Sequence, residues 1–221
     1  MAEFNFIQTL HSSTKRDYVA RVVEADKAEC AAKAQQWGQD YWDGERRFGY
    51  GGYRYDGRWR PVAEELARHL NLKPGMRLLD VGCGKGFLLY EFTQVVPGLV
   101  VAGLDISAYA IDNAKPEIKP FLTVGDAASL PYGDGEFDAV VSLGCLHNLN
   151  LPDLWRAVGE LQRVCPGTAK YVMVESFRDE REKANLLYWQ LTCRSFHDPQ
   201  SWAWLFGQAG YRGDWGFIFF E

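Results

Sequence analysis

Residues 78–86 read Leu-Leu-Asp-Val-Gly-Cys-Gly-Lys-Gly, an apolar strand that runs directly into three alternating glycines. Glycine lets main chain approach a small molecule with no Cβ in the way. A strand ending in such a loop before a helix is how open α/β sheets hold nucleotides at their carboxyl edge. Gly82, Gly84 and Gly86 are spaced G-x-G-x-G, whereas a dinucleotide fingerprint places its third glycine one residue later, so a pyrophosphate cradle is disfavoured. The carboxylates downstream carry the rest of the signal. Asp80 ends the first strand. The apolar run from Leu99 ends in Asp105, the acid about twenty positions past the glycines that is expected to hydrogen-bond a ribose diol. A third element from Phe121 ends in Asp126 and Ala127, and a fourth runs from Phe137 to Leu143 after the turn-rich link 130–136. Strand after strand thus delivers a polar residue or glycine at its carboxyl end.

In this pattern the chain resembles the class I S-adenosylmethionine-dependent methyltransferases, in particular the small-molecule branch of the ubiquinone and menaquinone type, over roughly residues 58–175. Asp80-Val-Gly-Cys-Gly-Lys-Gly86 is similar to the family's first motif and Gly103-Leu-Asp105-Ile-Ser to the second. Gly125-Asp126-Ala127 is similar to the third and Phe137-Asp-Ala-Val-Val-Ser142 to the fourth. The resemblance implies S-adenosyl-L-methionine as cofactor. The glycines Gly82, Gly84 and Gly86 would lie under its methionine part, Asp105 would bind the ribose hydroxyls and Asp126 with Ala127 would meet the adenine, with Asp80, Cys83, Ile106 and Leu143 also expected at the cofactor.

Methyl transfer from a sulfonium is an in-line displacement, so holding the reactants collinear is the larger task, at about 7–11 kcal/mol. A general base supplies about 10²–10⁴-fold. The candidate base is His147, just past the fourth strand, with hydrogen bonding to backbone as its competing role. His197 precedes the last helix, where it either meets substrate or neighbours a helix cap at the surface. The stretch 46–60 is rich in arginine and aromatic residues. Arginines fork onto phosphate or carboxylate, while tyrosines supply rigid walls and hydroxyls. We expect Arg58 to pair with the cofactor carboxylate, and Tyr50, Tyr53, Arg54 and Tyr55 to face the substrate. The alternative is a lid whose arginines pair with an acidic body.

Positioning these residues requires strands alternating with helices near 87–94, 107–115 and 152–164, up to a fifth strand at 171–175. The fold class is α/β: a Rossmann-like, mainly parallel central sheet flanked by helices, with an N-terminal helical lid and a helical insertion after the fifth strand. A helix is expected over about 14–41, capped from Ser12, Ser13 or Thr14, and others over 61–70, 180–196 and 199–209. Residues 1–60 then form the lid and 61–221 the core of a single domain. The family's sheet closes with two strands after the last helix, whereas here one is legible, at 215–220.

Length and composition fit this reading. The chain has 221 residues, with 47% hydrophobic and 24% charged, enough for one full core. A net charge of −5 leaves no general nucleic-acid surface. Five scattered cysteines without a C-x-x-C pair argue for a reducing compartment and against a metal site. With no signal-peptide pattern and no apolar stretch near ~20 residues, a cytoplasmic protein with no membrane partner is expected. The function expected is O-methylation of a small polar metabolite, anionic by the arginine content, such as a sugar nucleotide or a phosphorylated intermediate. An N-methyltransferase and a catalytically inactive, cofactor-binding partner subunit are the alternatives.

Overall fold

The computed structural model describes residues 1–12 and 16–221. In chain order the elements are α1 (Gln8–Ser12), α2 (Ala20–Val23), α3 (Lys27–Ala34), α4 (Gln39–Trp42), α5 (Arg60–His69), β1 (Arg77–Val81), α6 (Phe87–Val95), β2 (Val100–Asp105) and α7 (Ala108–Asp112). They continue with β3 (Leu122–Val124), β4 (Ala139–Leu143), α8 (Leu151–Val164), β5 (Lys170–Glu175), α9 (Glu180–Trp189), α10 (Pro199–Gln208) and β6 (Asp214–Ile218). The strands form one sheet in the order β3-β2-β1-β4-β5-β6, and every pairing is parallel.

Central strands covered on both faces read as unbroken apolar runs, because each successive side chain points to the opposite buried layer. Leu78, Val101, Ala139 and Val141 pack with α5 and α6 on one face. Their neighbours Leu79, Val140, Val172 and Val174 pack with α8 and α10 on the other. The helices match this. In α8 the buried residues Leu154, Ala157, Val158 and Leu161 recur at helical spacing, and Asn150 caps the first turn by accepting from the Asp153 amide at 3.1 Å.

A single strand follows the last helix, and the free edge of β6 is covered by the amino-terminal residues. Phe4 N–H donates to the Trp215 carbonyl at 2.7 Å and Trp215 N–H to that of Ala2 at 3.1 Å. Phe217 N–H donates to Asn5 Oδ1 at 2.9 Å, so the edge amides do not face solvent unpaired.

The long amino-terminal helix expected over 14–41 is instead three short ones. Asp26 opens α3 by accepting from the amides of Ala28 and Glu29. The run then breaks at Trp37, whose φ is 52°, a left-handed conformation that ends a helix. Of the expected caps, Ser13 and Thr14 lie outside the described residues. The helix expected over 180–196 stops at Trp189. No helix among the described residues is long and apolar enough to cross a membrane.

Candidate functional site

The strand order reverses between β1 and β4, and at the carboxyl ends of those strands lies a cavity of about 460 Å³. A switch point of this kind opens a crevice because the connections leave it in opposite directions. Asp80, Gly82, Cys83 and Gly84 from the end of β1 line it, with Leu143, Gly144, His147 and Asn148 beyond β4, and Met173 and Glu175 from β5. The opposite wall comes from the amino-terminal segment and the end of α9: Arg16, Arg21, Tyr41, Trp42, Arg46, Tyr50, Tyr53, Arg54, Arg58, Trp59 and Trp189.

The glycine loop is held from below and covered from above. Gly84 N–H donates to Asp105 Oδ2 at 2.7 Å, and the other oxygen of Asp105 accepts from the Ser107 amide at 2.8 Å. Gly84 has φ +55°, and a Cβ there would stand 2.8 Å from the Trp42 ring; one at Gly82 would stand 2.4 Å from Cys145 Cβ. These glycines therefore satisfy backbone conformation and packing within the protein as well as access for a ligand. A branched residue at Gly84 would therefore disturb the loop and its Trp42 cover as well as the path of a ligand.

Trp42 roofs the loop. Its indole N–H donates to the Ser107 hydroxyl at 2.9 Å, bridging from Gly84 to the turn that carries Asp105. Asp43 follows, and its carboxylate accepts from Lys85 Nζ at 2.6 Å, from the Tyr109 hydroxyl at 2.9 Å and from the Tyr53 amide at 3.1 Å.

Electrostatically the cavity is divided. Asp80 is 3% exposed, and no described residue donates a hydrogen bond to its carboxylate. Burial, and then the nearby Asp105, push its pKa up to about 8. Burial raises Glu175 to about 8 and lowers His147 to about 3. At neutral pH both are largely uncharged, so their 3.5 Å contact is not an ion pair. Facing these groups, Arg16, Arg21 and Arg46 surround the Trp189 indole at 5.4, 5.1 and 5.1 Å. Burial lowers the pKa of all three. Among the described residues no carboxylate lies within ion-pair distance of Arg21 or Arg46, and their bonds run to backbone carbonyls instead.

Most of the residues expected at the site line the cavity, and several lie elsewhere. Gly86 opens α6, where a Cβ would stand 2.6 Å from Ile118. Asp105 lies beneath Trp42, Ile106 is exposed, Asp126 caps the Ala128 amide at 2.8 Å, and Ala127 is buried in the core. Arg58 lines the cavity with its guanidinium bonded to Asp56, at 2.9 and 2.7 Å from Nε. Tyr55 is turned away and donates to Glu91 at 2.5 Å. His197 lies in a separate hollow with Leu151 and Trp204.

Sequence reasoning missed Glu175, Trp42, Trp189, Arg16 and Arg21 as site residues. Glu175 was findable, since it ends its strand as Asp80 and Asp105 end theirs. The others carry no local signal, because only the folding of the amino-terminal segment over the sheet brings them to the cavity.

Residues 79–173 match the family described as methyltransferase domain. The chain is 35% identical over 126 residues to a demethylmenaquinone methyltransferase of Thermus thermophilus, covering 54% of each chain. It is 30% identical over 141 residues to the 27-O-demethylrifamycin SV methyltransferase of Amycolatopsis mediterranei, covering 59% of this chain and 48% of the relative. The chain thus spans about half the length of the curated relatives it matches. Its fold is similar to a chain in the complex between the Haloferax volcanii Trm112 methyltransferase activator and a methyltransferase. There the TM-score is 0.60 with 19% identity, covering 89% of this chain and 77% of that one. The sequence match and a sheet that agrees with it lead to one assignment: residues 79–173 are a methyltransferase domain of the class I, S-adenosylmethionine-dependent kind.

Proposed function

We propose that this protein transfers a methyl group from S-adenosylmethionine to an oxygen of a small, polar, anionic metabolite, such as a sugar nucleotide or a phosphorylated intermediate. The observation that carries the anionic character is the arginine wall. Arg21 and Arg46 line the cavity with no carboxylate partner among the described residues, opposite the glycine loop. Guanidinium groups partly withdrawn from water and lacking an acidic neighbour favour a ligand that brings negative charge.

The residues at the strand ends fit the cofactor. Asp80 is a buried carboxylate with no donor among the described residues, suited to an ammonium group, whose charge would draw its pKa back down. Each oxygen of Asp105 accepts one backbone amide and keeps a lone pair for a ribose hydroxyl. Asp126 and Ala127 would border the adenine. Arg58 would serve the cofactor carboxylate by exchanging its bond to Asp56. When bound, the cofactor supplies a methyl group activated by its sulfonium. The chain's own contribution would be to orient the acceptor and exclude water, a task that falls to Tyr50 and Tyr53 on the cavity wall.

The test uses cofactor carrying a tritiated methyl group, incubated with the protein and a small-metabolite extract, followed by anion-exchange separation. Label should appear in the retained, anionic fraction. Label confined to the unretained fraction would contradict the anionic substrate. No label despite cofactor binding would favour a protein that binds without turnover.

A further inference from the structure

Glu175 ends β5 at the cavity wall with its side chain 7% exposed. One carboxylate oxygen, Oε1, accepts from the Gln190 amide. The other, Oε2, is buried without a hydrogen-bond partner among the described residues. The Nε2 of His147 stands 3.5 Å from it.

The ring of His147 is fixed from its other side. Its Nδ1 faces the backbone N–H of Glu175 at 3.3 Å. A backbone amide only donates, so Nδ1 must present its lone pair, and a neutral imidazole then carries its proton on Nε2. The His147 carbonyl accepts from the amides of Arg194 and Ser195 at 2.9 and 3.0 Å, which anchors the residue. With Nδ1 engaged by backbone and Nε2–H directed at Glu175, no lone pair of His147 is left for a substrate.

We propose that Glu175 Oε2 accepts the proton of the acceptor hydroxyl, and that His147 is a positioning residue that orients the carboxylate. The proposal rests on the methyl-transfer reading above. As the acceptor oxygen forms its new bond to the methyl carbon, the carbon–sulfur bond breaks with its electron pair remaining on sulfur. The hydroxyl proton passes to Oε2. Only the ionised carboxylate can take that proton, so the rate rises with pH through about 8, where Glu175 titrates. The polar and titratable groups around it are Arg16, Tyr41, Tyr50, His147, Gln190 and Cys193. Of these Arg16 lowers the pKa of Glu175, as does the Gln190 bond, against a larger effect of burial.

Two readouts test this. In ligand-free protein, a side-chain carboxyl ¹³C resonance that is missing from Glu175→Gln should titrate near pH 8, while the imidazole ¹⁵N signals of His147 keep the Nε2–H form at neutral pH. In the tritium assay, Glu175→Gln should slow transfer by about 10²–10⁴-fold and lose the limb near pH 8. His147→Gln should slow transfer less and shift that limb. Cofactor affinity of Glu175→Gln, read by calorimetry, should stay within about twofold of wild type. A Glu175 resonance titrating near pH 4, or a Glu175→Gln variant that keeps its rate and limb, would overturn the proposal. If Glu175→Gln does not fold, Glu175→Asp, which retracts the carboxylate, takes its place. Absence of cofactor binding to wild type would instead overturn the methyl-transfer reading, leaving the resonance titration to stand by itself.

Discussion

Asp43 and Lys85 are joined at 2.6 Å, an acid from the amino-terminal segment and a base from within the glycine loop. Lys85 is nearly buried, with 5% of its side chain exposed, so the pair is shielded and ties the segment that carries Trp42 onto the loop. A ligand reaching Asp105 from the cavity has to displace Trp42 from Gly84 and Ser107. Asp43→Ala should therefore speed amide hydrogen exchange across residues 37–55 in the ligand-free protein. It should also raise the association rate of S-adenosylhomocysteine, measured by stopped-flow tryptophan fluorescence. Loss of charged hydrogen bonds at Lys85 should cost about 1–3 kcal/mol in denaturant unfolding. Unchanged exchange would mean that the segment is held by aromatic packing alone.

Asp105→Ala should weaken cofactor affinity by more than tenfold, because charged hydrogen bonds to a ligand are worth roughly 1.5–3 kcal/mol each. The structure adds a second consequence. The Gly84 and Ser107 amides lose their acceptor, so the variant should also unfold at lower temperature. Calorimetric titration separates the two effects when it is run well below the variant's melting point. An unchanged dissociation constant would show that the ribose is held elsewhere.

The glycine loop and the carboxyl ends of the strands were legible because both are short-range patterns: an apolar run, a turn, then an acid. The roof was not. A helix over 14–41 is the natural reading of alanine and charge. It breaks at Trp37 as the chain folds back to bring Trp42 to Ser107, a partner 65 residues away in sequence. Tyr55 and His197 were legible as residue types that do chemistry, but their neighbours are distant. Glu91 takes the Tyr55 hydroxyl, and Trp202 packs against the His197 ring at 5.0 Å. Likewise α9 ends where Trp189 meets arginines from the amino-terminal segment.

Burial gives Glu175 a pKa of about 8 in the folded chain against an ordinary 4.5. Between those values the folded state holds a proton that the unfolded state has released, so stability falls as pH rises across that window. Gln does not titrate. Glu175→Gln should therefore match wild type below pH 4.5 and exceed it above pH 8, by on the order of 2–5 kcal/mol at pH 9. His147, lowered to about 3, contributes in the opposite sense as pH falls below 6.5, equally in both proteins. Melting temperatures at pH 4.5 and 9 check this, and equal differences at the two would contradict it.

Arg58 and Arg60 should separate binding from folding. Arg60 bonds Glu91, which is fully buried, whereas Arg58 bonds the exposed Asp56. Arg60→Ala should lower the melting temperature by leaving a buried carboxylate without its cation, while Arg58→Ala leaves the melting temperature unchanged. Cofactor affinity should move the other way, weakened more by Arg58→Ala than by Arg60→Ala. Equal melting temperatures with equal affinities would assign both arginines to the surface.

Calorimetric titration of the wild-type protein with S-adenosylmethionine and, separately, with NAD tests the central claim most directly. The account predicts saturable one-to-one binding of S-adenosylmethionine, weakened in Asp105→Ala, and no binding heat from NAD. Tight NAD binding with no heat from S-adenosylmethionine would contradict it.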